Sequence, residues 1–144
     1  MLLNVNFYDI EGNIALERLN CKPLTDCSCQ IKQIPLFLPN LALDDVVIFE
    51  KVDNEYFFEA FDSFSGNSTI QIVELADNGL ARLLDEIKDR VGEIRWHKSG
   101  KYVAINVSPK QDYPSIQAVC IRYEQDNQIS FKEACLGFIK CSEK

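Results

Sequence analysis

The sequence holds a single histidine, only six glycines, fewer basic than acidic residues, and no apolar run approaching the roughly 18 to 20 residues that a membrane-spanning helix needs. With His97 alone, a Ser-His-Asp or Cys-His arrangement has one place to form. The neighbours there, Arg95, Lys98 and Lys101, are basic and include no carboxylate to orient the ring. His97 therefore reads as a surface residue, and no catalytic set is expected. Gly66 is isolated, so there is no glycine-rich loop to cradle a phosphate. Internal repeats, low-complexity tracts and Pro/Gly/Ser linkers are missing too. The start, Met1-Leu2-Leu3-Asn4-Val5-Asn6, lacks the basic residues and long apolar core of a secretory signal, and the expectation is a cytoplasmic chain with no membrane partner. Fifteen basic against 22 acidic residues give a net charge of −7, which argues against nucleic acid as a partner, since basic groups must replace phosphate counterions.

What is present is an ordinary globular composition: 144 residues, 47% hydrophobic and 26% charged, enough for one domain or two small lobes sharing a core. The charge is unevenly spread. Between Asp44 and Asp62 stand seven carboxylates, Asp44, Asp45, Glu50, Asp53, Glu55, Glu59 and Asp62, against the single base Lys51, so this segment carries −6. The remaining 15 acidic and 14 basic residues carry only −1. An acidic surface patch is expected there, facing a basic partner. Six cysteines in a chain without a secretory start read as reduced thiols. Alternation along a strand would place Cys27 and Cys29 on one face, but their spacing is not that of a zinc site, and neither metal nor cofactor is expected.

Periodicity divides the chain near residue 64. Before it, short strands are predicted at Ile14 to Leu19, Cys29 to Ile34, Val46 to Val52 and Tyr56 to Phe61. Asp53-Asn54 supplies a tight hairpin turn, because Asn and Asp tolerate positive φ. After it, Thr69 to Leu75 reads as a strand. A helix follows with Leu80, Leu83, Leu84, Ile87 and Val91 on one stripe, Asp77 or Asn78 as its cap and Gly92 as its stop. Glu93 to His97 and Tyr102 to Val107 form a predicted hairpin with Ile94, Trp96, Val103, Ile105 and Val107 inward. A helix opening at Pro114 buries Ile116, Val119, Cys120 and Tyr123, and Ile129 to Ala134 is a last strand. The expected class is α+β: a small N-terminal β-roll over 1–64, followed over 65–144 by a ferredoxin-like βαββαβ unit with an antiparallel sheet, the two forming one compact unit.

Two stretches carry a resemblance. Ile34-Pro35-Leu36-Phe37 leading to Leu41-Ala42-Leu43-Asp44-Asp45-Val46-Val47, then Ser65-Gly66-Asn67-Ser68-Thr69-Ile70, resembles the bacterial family named domain of unknown function 4265. In that family Pro-Phe precedes Leu-Ala-Leu-Gly-Asp-Val-Val and Ser-Gly-His-Ser-Thr. The likeness extends from about Leu16 to Leu136, with Asp44 in place of a glycine and Asn67 in place of a histidine. It implies a shared architecture, assigns no activity, and means that a role for the family's histidine would be lost here.

A small acidic chain without catalytic groups suits a binding protein better than an enzyme. The expectation is an immunity-type inhibitor that neutralises a bacterial toxin, a basic nuclease by preference, by laying its acidic surface over the toxin's phosphate-binding groove. The alternative is a small-molecule-binding or regulatory module of ferredoxin-like fold.

Overall fold

The computed structural model describes residues 1–142. Nine strands and three helices run in the order β1 (Leu2–Tyr8), β2 (Ile14–Pro23), β3 (Ser28–Ile31), β4 (Val46–Val52), β5 (Glu55–Ser63), β6 (Ser68–Glu74), α1 (Gly79–Ile87), β7 (Ile94–Trp96), β8 (Tyr102–Val107), α2 (Tyr113–Gln125), β9 (Ile129–Cys135) and α3 (Gly137–Ser142).

The first five strands close into a barrel. Neighbours β1 to β5 pair antiparallel in sequence order, and a parallel pairing of β1 with β5, Leu3 opposite Tyr56 and Asn4 opposite Phe57, seals the cylinder. Closure removes the sheet edges that an open roll would leave unpaired. Alternation turns Leu3, Val5, Leu19, Cys21, Cys29, Ile31, Val47 and Phe49 into the interior, where Leu38 and Leu41 from the β3–β4 connection complete the core.

The second sheet has the order β7-β8-β6-β9, with every pairing antiparallel. On one face Ile70, Ile72, Val103, Ile105 and Ile129 pack against Leu80, Leu83, Leu84 and Ile87 of α1 and Ile116, Val119 and Cys120 of α2. The other face is not left to solvent. The β3–β4 connection lies across it, with Ile34, Leu36 and Leu43 against Ala104 and Tyr102. Tyr102 donates its hydroxyl hydrogen to the Leu36 carbonyl at 2.7 Å, and Gln71 Nε2 donates to the Leu38 carbonyl at 3.1 Å.

The expected α+β class is thereby corrected. In place of a small β-roll and a ferredoxin-like βαββαβ unit, the chain is mostly β, built on a closed mixed five-stranded barrel and a second sheet, with three short helices among the described residues. The chief reason is β1, a strand outside those predicted, whose alternation of Leu3, Val5 and Phe7 with Asn4 and Asn6 supplies the fifth barrel strand. Asn4 is nevertheless buried, its Nδ2 donating to the Tyr56 carbonyl at 2.9 Å across the closing seam. Helix α1 also ends at Ile87, before Val91, and its N-cap residue Asn78 makes no side-chain cap. Glu74 substitutes, accepting from the Leu80 amide at 3.2 Å. Trp96, expected to point inward, is 47% exposed on the edge strand β7. Asp112 does cap α2, accepting from the Ser115 amide, with Pro114 in the first turn.

The start of α3 is pinned to the connection between β5 and β6. Gly137, at the start of α3, approaches Gly66 so closely that a Cβ there would stand 2.0 Å from the Gly66 carbonyl oxygen, and its amide donates to Ser68 Oγ at 2.9 Å. Only glycine permits that approach.

Candidate protein-binding surface

The acidic segment folds as the β4–β5 hairpin. Its turn is Asp53-Asn54, with φ of 51° and 68°, two successive left-handed residues that match the twist of a two-residue hairpin. Register shifts after Val46 and after Ile48 let β5 turn Tyr56 and Phe58 toward the barrel core. Glu50, Asp53, Glu55, Glu59 and Asp62 are all exposed. Glu55 approaches Arg18 at 3.8 Å with both side chains more than half exposed, which screens the pair. Glu50, Asp53, Glu59 and Asp62 have no cationic partner among the described residues. Val52, 43% exposed, and half-buried Phe57, opposite Glu50, lend the hairpin apolar area.

Two of the seven predicted carboxylates do not belong to this surface. Asp45 is 1% exposed, which corrects its place as a partner-binding residue. Its Oδ2 accepts from the Ala42 amide at 3.0 Å and from Lys140 Nζ at 2.6 Å, and its Oδ1 accepts from the Ser65 amide at 2.9 Å. Asp44 is half-buried and ion-paired with Lys32 at 2.7 Å. Its φ of 69° explains why glycine suits this position. The second familiar stretch closes on the same place. Ser65 Oγ and Asn67 Nδ2 both donate to the Leu43 carbonyl, at 2.8 and 2.9 Å, so Asn67 serves here as a buried strut between barrel and sheet.

Sequence reasoning missed Glu17. This carboxylate, 7% exposed, accepts from the amides of Leu36, Phe37 and Leu38 at 2.8, 2.9 and 3.2 Å and from Arg95 Nη1 at 3.1 Å. It holds the connection between the two sheets. The signal was its phase: Glu17 shares the inward face of β2 with Leu19 and Cys21.

His97 is half-buried. Its Nδ1 lies 2.9 Å from Ser99 Oγ and its ring stands edge-on to Phe37, with no carboxylate among its hydrogen-bond partners. The six cysteines are unpaired. Cys27 lies outside β3 and is exposed whereas Cys29 is buried, so the two thiols do not share a strand face as expected. The hydrogen bond its S–H donates to Cys21, together with burial, holds the Cys29 thiol above its ordinary pKa, and burial pushes Cys120 up to about 12. Among the described residues no His, Cys, Asp or Glu cluster is arranged to hold a metal ion. No described helix is long and apolar enough to cross a membrane.

A thiol-disulfide reagent should label Cys27 and Cys141 rapidly in the native protein, and all six thiols after denaturation, because the other four are buried. Fast native labelling of a third thiol would show that a core region opens; fewer than six after denaturation would reveal a disulfide.

No curated protein matches the chain. It is similar over 95% of its length, and 95% of the other chain, to the crystal structure of a hypothetical protein from Neisseria gonorrhoeae, at 40% identity and a TM-score of 0.82. Residues 17–131, which include the β3–β4 connection, the acidic hairpin and Asp45 with Ala42 and Ser65, match the model of one family. The chain belongs to that family, described as Domain of unknown function (DUF4265).

Proposed function

We propose that this protein is a cytoplasmic binding protein that recognises a basic protein partner through the β4–β5 hairpin, and that it acts as an immunity-type inhibitor of a bacterial toxin with nuclease activity. The observation that carries the reading is the set of exposed carboxylates, Glu50, Asp53, Glu55, Glu59 and Asp62, gathered on one hairpin and left almost without counter-charge. Such a set raises the local negative potential, speeds encounter with a positive surface, and disfavours like-charged partners. Carboxylates at this density can also take the Arg and Lys side chains with which a nuclease holds phosphates. Val52 and Phe57 add apolar contact within the same patch. Two-residue closure of the turn and barrel pairing on the far side of β5 preorganise the hairpin, which lowers the ordering cost of binding.

The test is affinity capture from cells of the native host with two baits, the wild-type protein and the variant Asp53→Lys/Glu55→Lys/Glu59→Lys, followed by mass spectrometry. The substitution takes the −6 of residues 44–62 to neutrality at exposed positions. The expected result is a basic protein captured by the wild type and lost with the variant, whose melting temperature falls by only about 2 to 4 °C, because exposed charges contribute little to folding and only the Asp53→Lys change, at a left-handed turn residue, adds strain. Equal capture of the same partner by both baits would refute the hairpin as the recognition surface.

A further inference from the structure

A cleft of about 620 Å³ opens between the β1–β2 turn and the helix-free face of the second sheet, and none of its lining residues lies on the acidic hairpin. Its volume is that of a small-molecule site. Phe37 forms one wall, stacked on Tyr102 at 5.0 Å and 30° with the His97 ring edge-on to it, and it is still 40% exposed, so part of its ring is presented to the cleft. Tyr102 is fixed behind it by its bond to the Leu36 carbonyl. Tyr8, 73% exposed, stands in the lining on the side of the β1–β2 turn.

The floor offers polar groups, Gln71 and Lys132. Gln71 is 97% buried, by its relative exposure of 3%, and commits its Nε2 to the Leu38 carbonyl, which leaves the Oε1 acceptor with no protein partner. Lys132 is directly opposite Gln71 in the β6–β9 register, so the two side chains rise side by side from the same sheet face. It is exposed and makes no ion pair among the described residues. That acceptor is not one of the buried atoms left without a partner, so it reaches the cleft and is free to take a donor from a guest, beside the unpaired Lys132 ammonium. The opposite rim carries Asp9 and Glu11, which disfavours a second negative charge at the far end of a guest.

From this juxtaposition we propose that the cleft binds a small aromatic monocarboxylate that also carries a hydrogen-bond donor. The carboxylate meets Lys132, the donor meets Gln71 Oε1, and the ring lies on Phe37. This site is independent of the partner reading above.

The probes are L-tryptophan, which has ring, carboxylate and donor, tryptamine, which lacks the carboxylate, and acetate, which lacks the ring. Each is titrated into the ¹⁵N-labelled full chain while backbone and side-chain amide shifts are followed. L-Tryptophan should give saturable shifts at Gln71, Tyr102 and Lys132, with tryptamine and acetate at least tenfold weaker. Lys132→Met, at an exposed position, should keep the native spectrum and weaken L-tryptophan at least tenfold, and Phe37→Ala should weaken it without moving the acetate response. Absence of saturable shifts in the cleft, tryptamine binding as tightly as L-tryptophan, or undiminished binding to Lys132→Met would each overturn the proposal.

Discussion

Replacing Glu17 by Ala is expected to cost about 3 to 5 kcal/mol of folding stability, the range for breaking a buried ion pair by removing one partner. The variant loses the acceptor for three consecutive amides, Leu36, Phe37 and Leu38, and strands the Arg95 guanidinium, which is left with the Ile34 carbonyl alone. Those amides belong to an irregular connection with no ladder of its own. With the carboxylate gone, nothing else in the barrel is placed to accept from them, and buried donors without acceptors are the expensive case. Glu17→Gln keeps the shape and one acceptor oxygen and should cost less, about 1 to 3 kcal/mol. Urea denaturation of the three proteins measures both differences. A loss below about 1 kcal/mol for the alanine variant would mean that water reaches the connection and that Glu17 is not what holds it.

A similarly large loss is expected at Asp45, and here the contrast with its acidic neighbours is the informative part. Asp45→Ala removes the acceptor for the Ala42 and Ser65 amides and the counter-charge of Lys140, whose side chain is 12% exposed. The ammonium would keep the Asn40 carbonyl at 2.8 Å and the faces of Phe61 and Phe64, each 4.6 Å from ring centre to Nζ. These contacts are already present beside Asp45 and persist in the variant, so the ammonium is not left wholly without partners. The net cost should therefore fall near the lower end of the 3 to 5 kcal/mol expected for a broken buried pair, about 3 kcal/mol. Glu50→Ala, on the exposed end of β4 a few residues on, should change stability by less than about 0.5 kcal/mol. Thermal and urea unfolding of the two variants side by side gives the comparison. Equal and small effects would place Asp45 on the surface, contrary to its burial.

The parts of the fold that were legible are those written in local periodicity. Val46–Val52 and Tyr102–Val107 follow from runs of β-branched residues. The stripe of Leu80, Leu83, Leu84 and Ile87 marks α1, and Asp53-Asn54 marks its own turn. What was illegible depends on partners distant in the chain. Strand β1 pairs along its length with β2, but barrel closure depends on its short parallel contact with β5, Leu3 opposite Tyr56, more than fifty residues away in sequence. That pairing turns an open roll into a closed barrel, which is why the fold class was misread. In the candidate surface, a run of charge predicted where carboxylates concentrate but could not separate Asp45 from Asp53. Their difference lies in Ser65 and Lys140, which the chain brings back from 20 and 95 positions away. Glu17 went unnoticed for the same reason, its cation being 78 residues distant.

The hairpin carboxylates are proposed to steer a basic partner onto this protein. The direct measurement is the association rate with the partner purified by capture, for wild type and for Asp53→Lys/Glu55→Lys/Glu59→Lys, at low and at high salt. Electrostatic steering predicts a wild-type rate that falls steeply with ionic strength, and a variant rate that is lower at low salt and nearly flat as salt rises. Identical rates and identical salt dependence for the two proteins would contradict it.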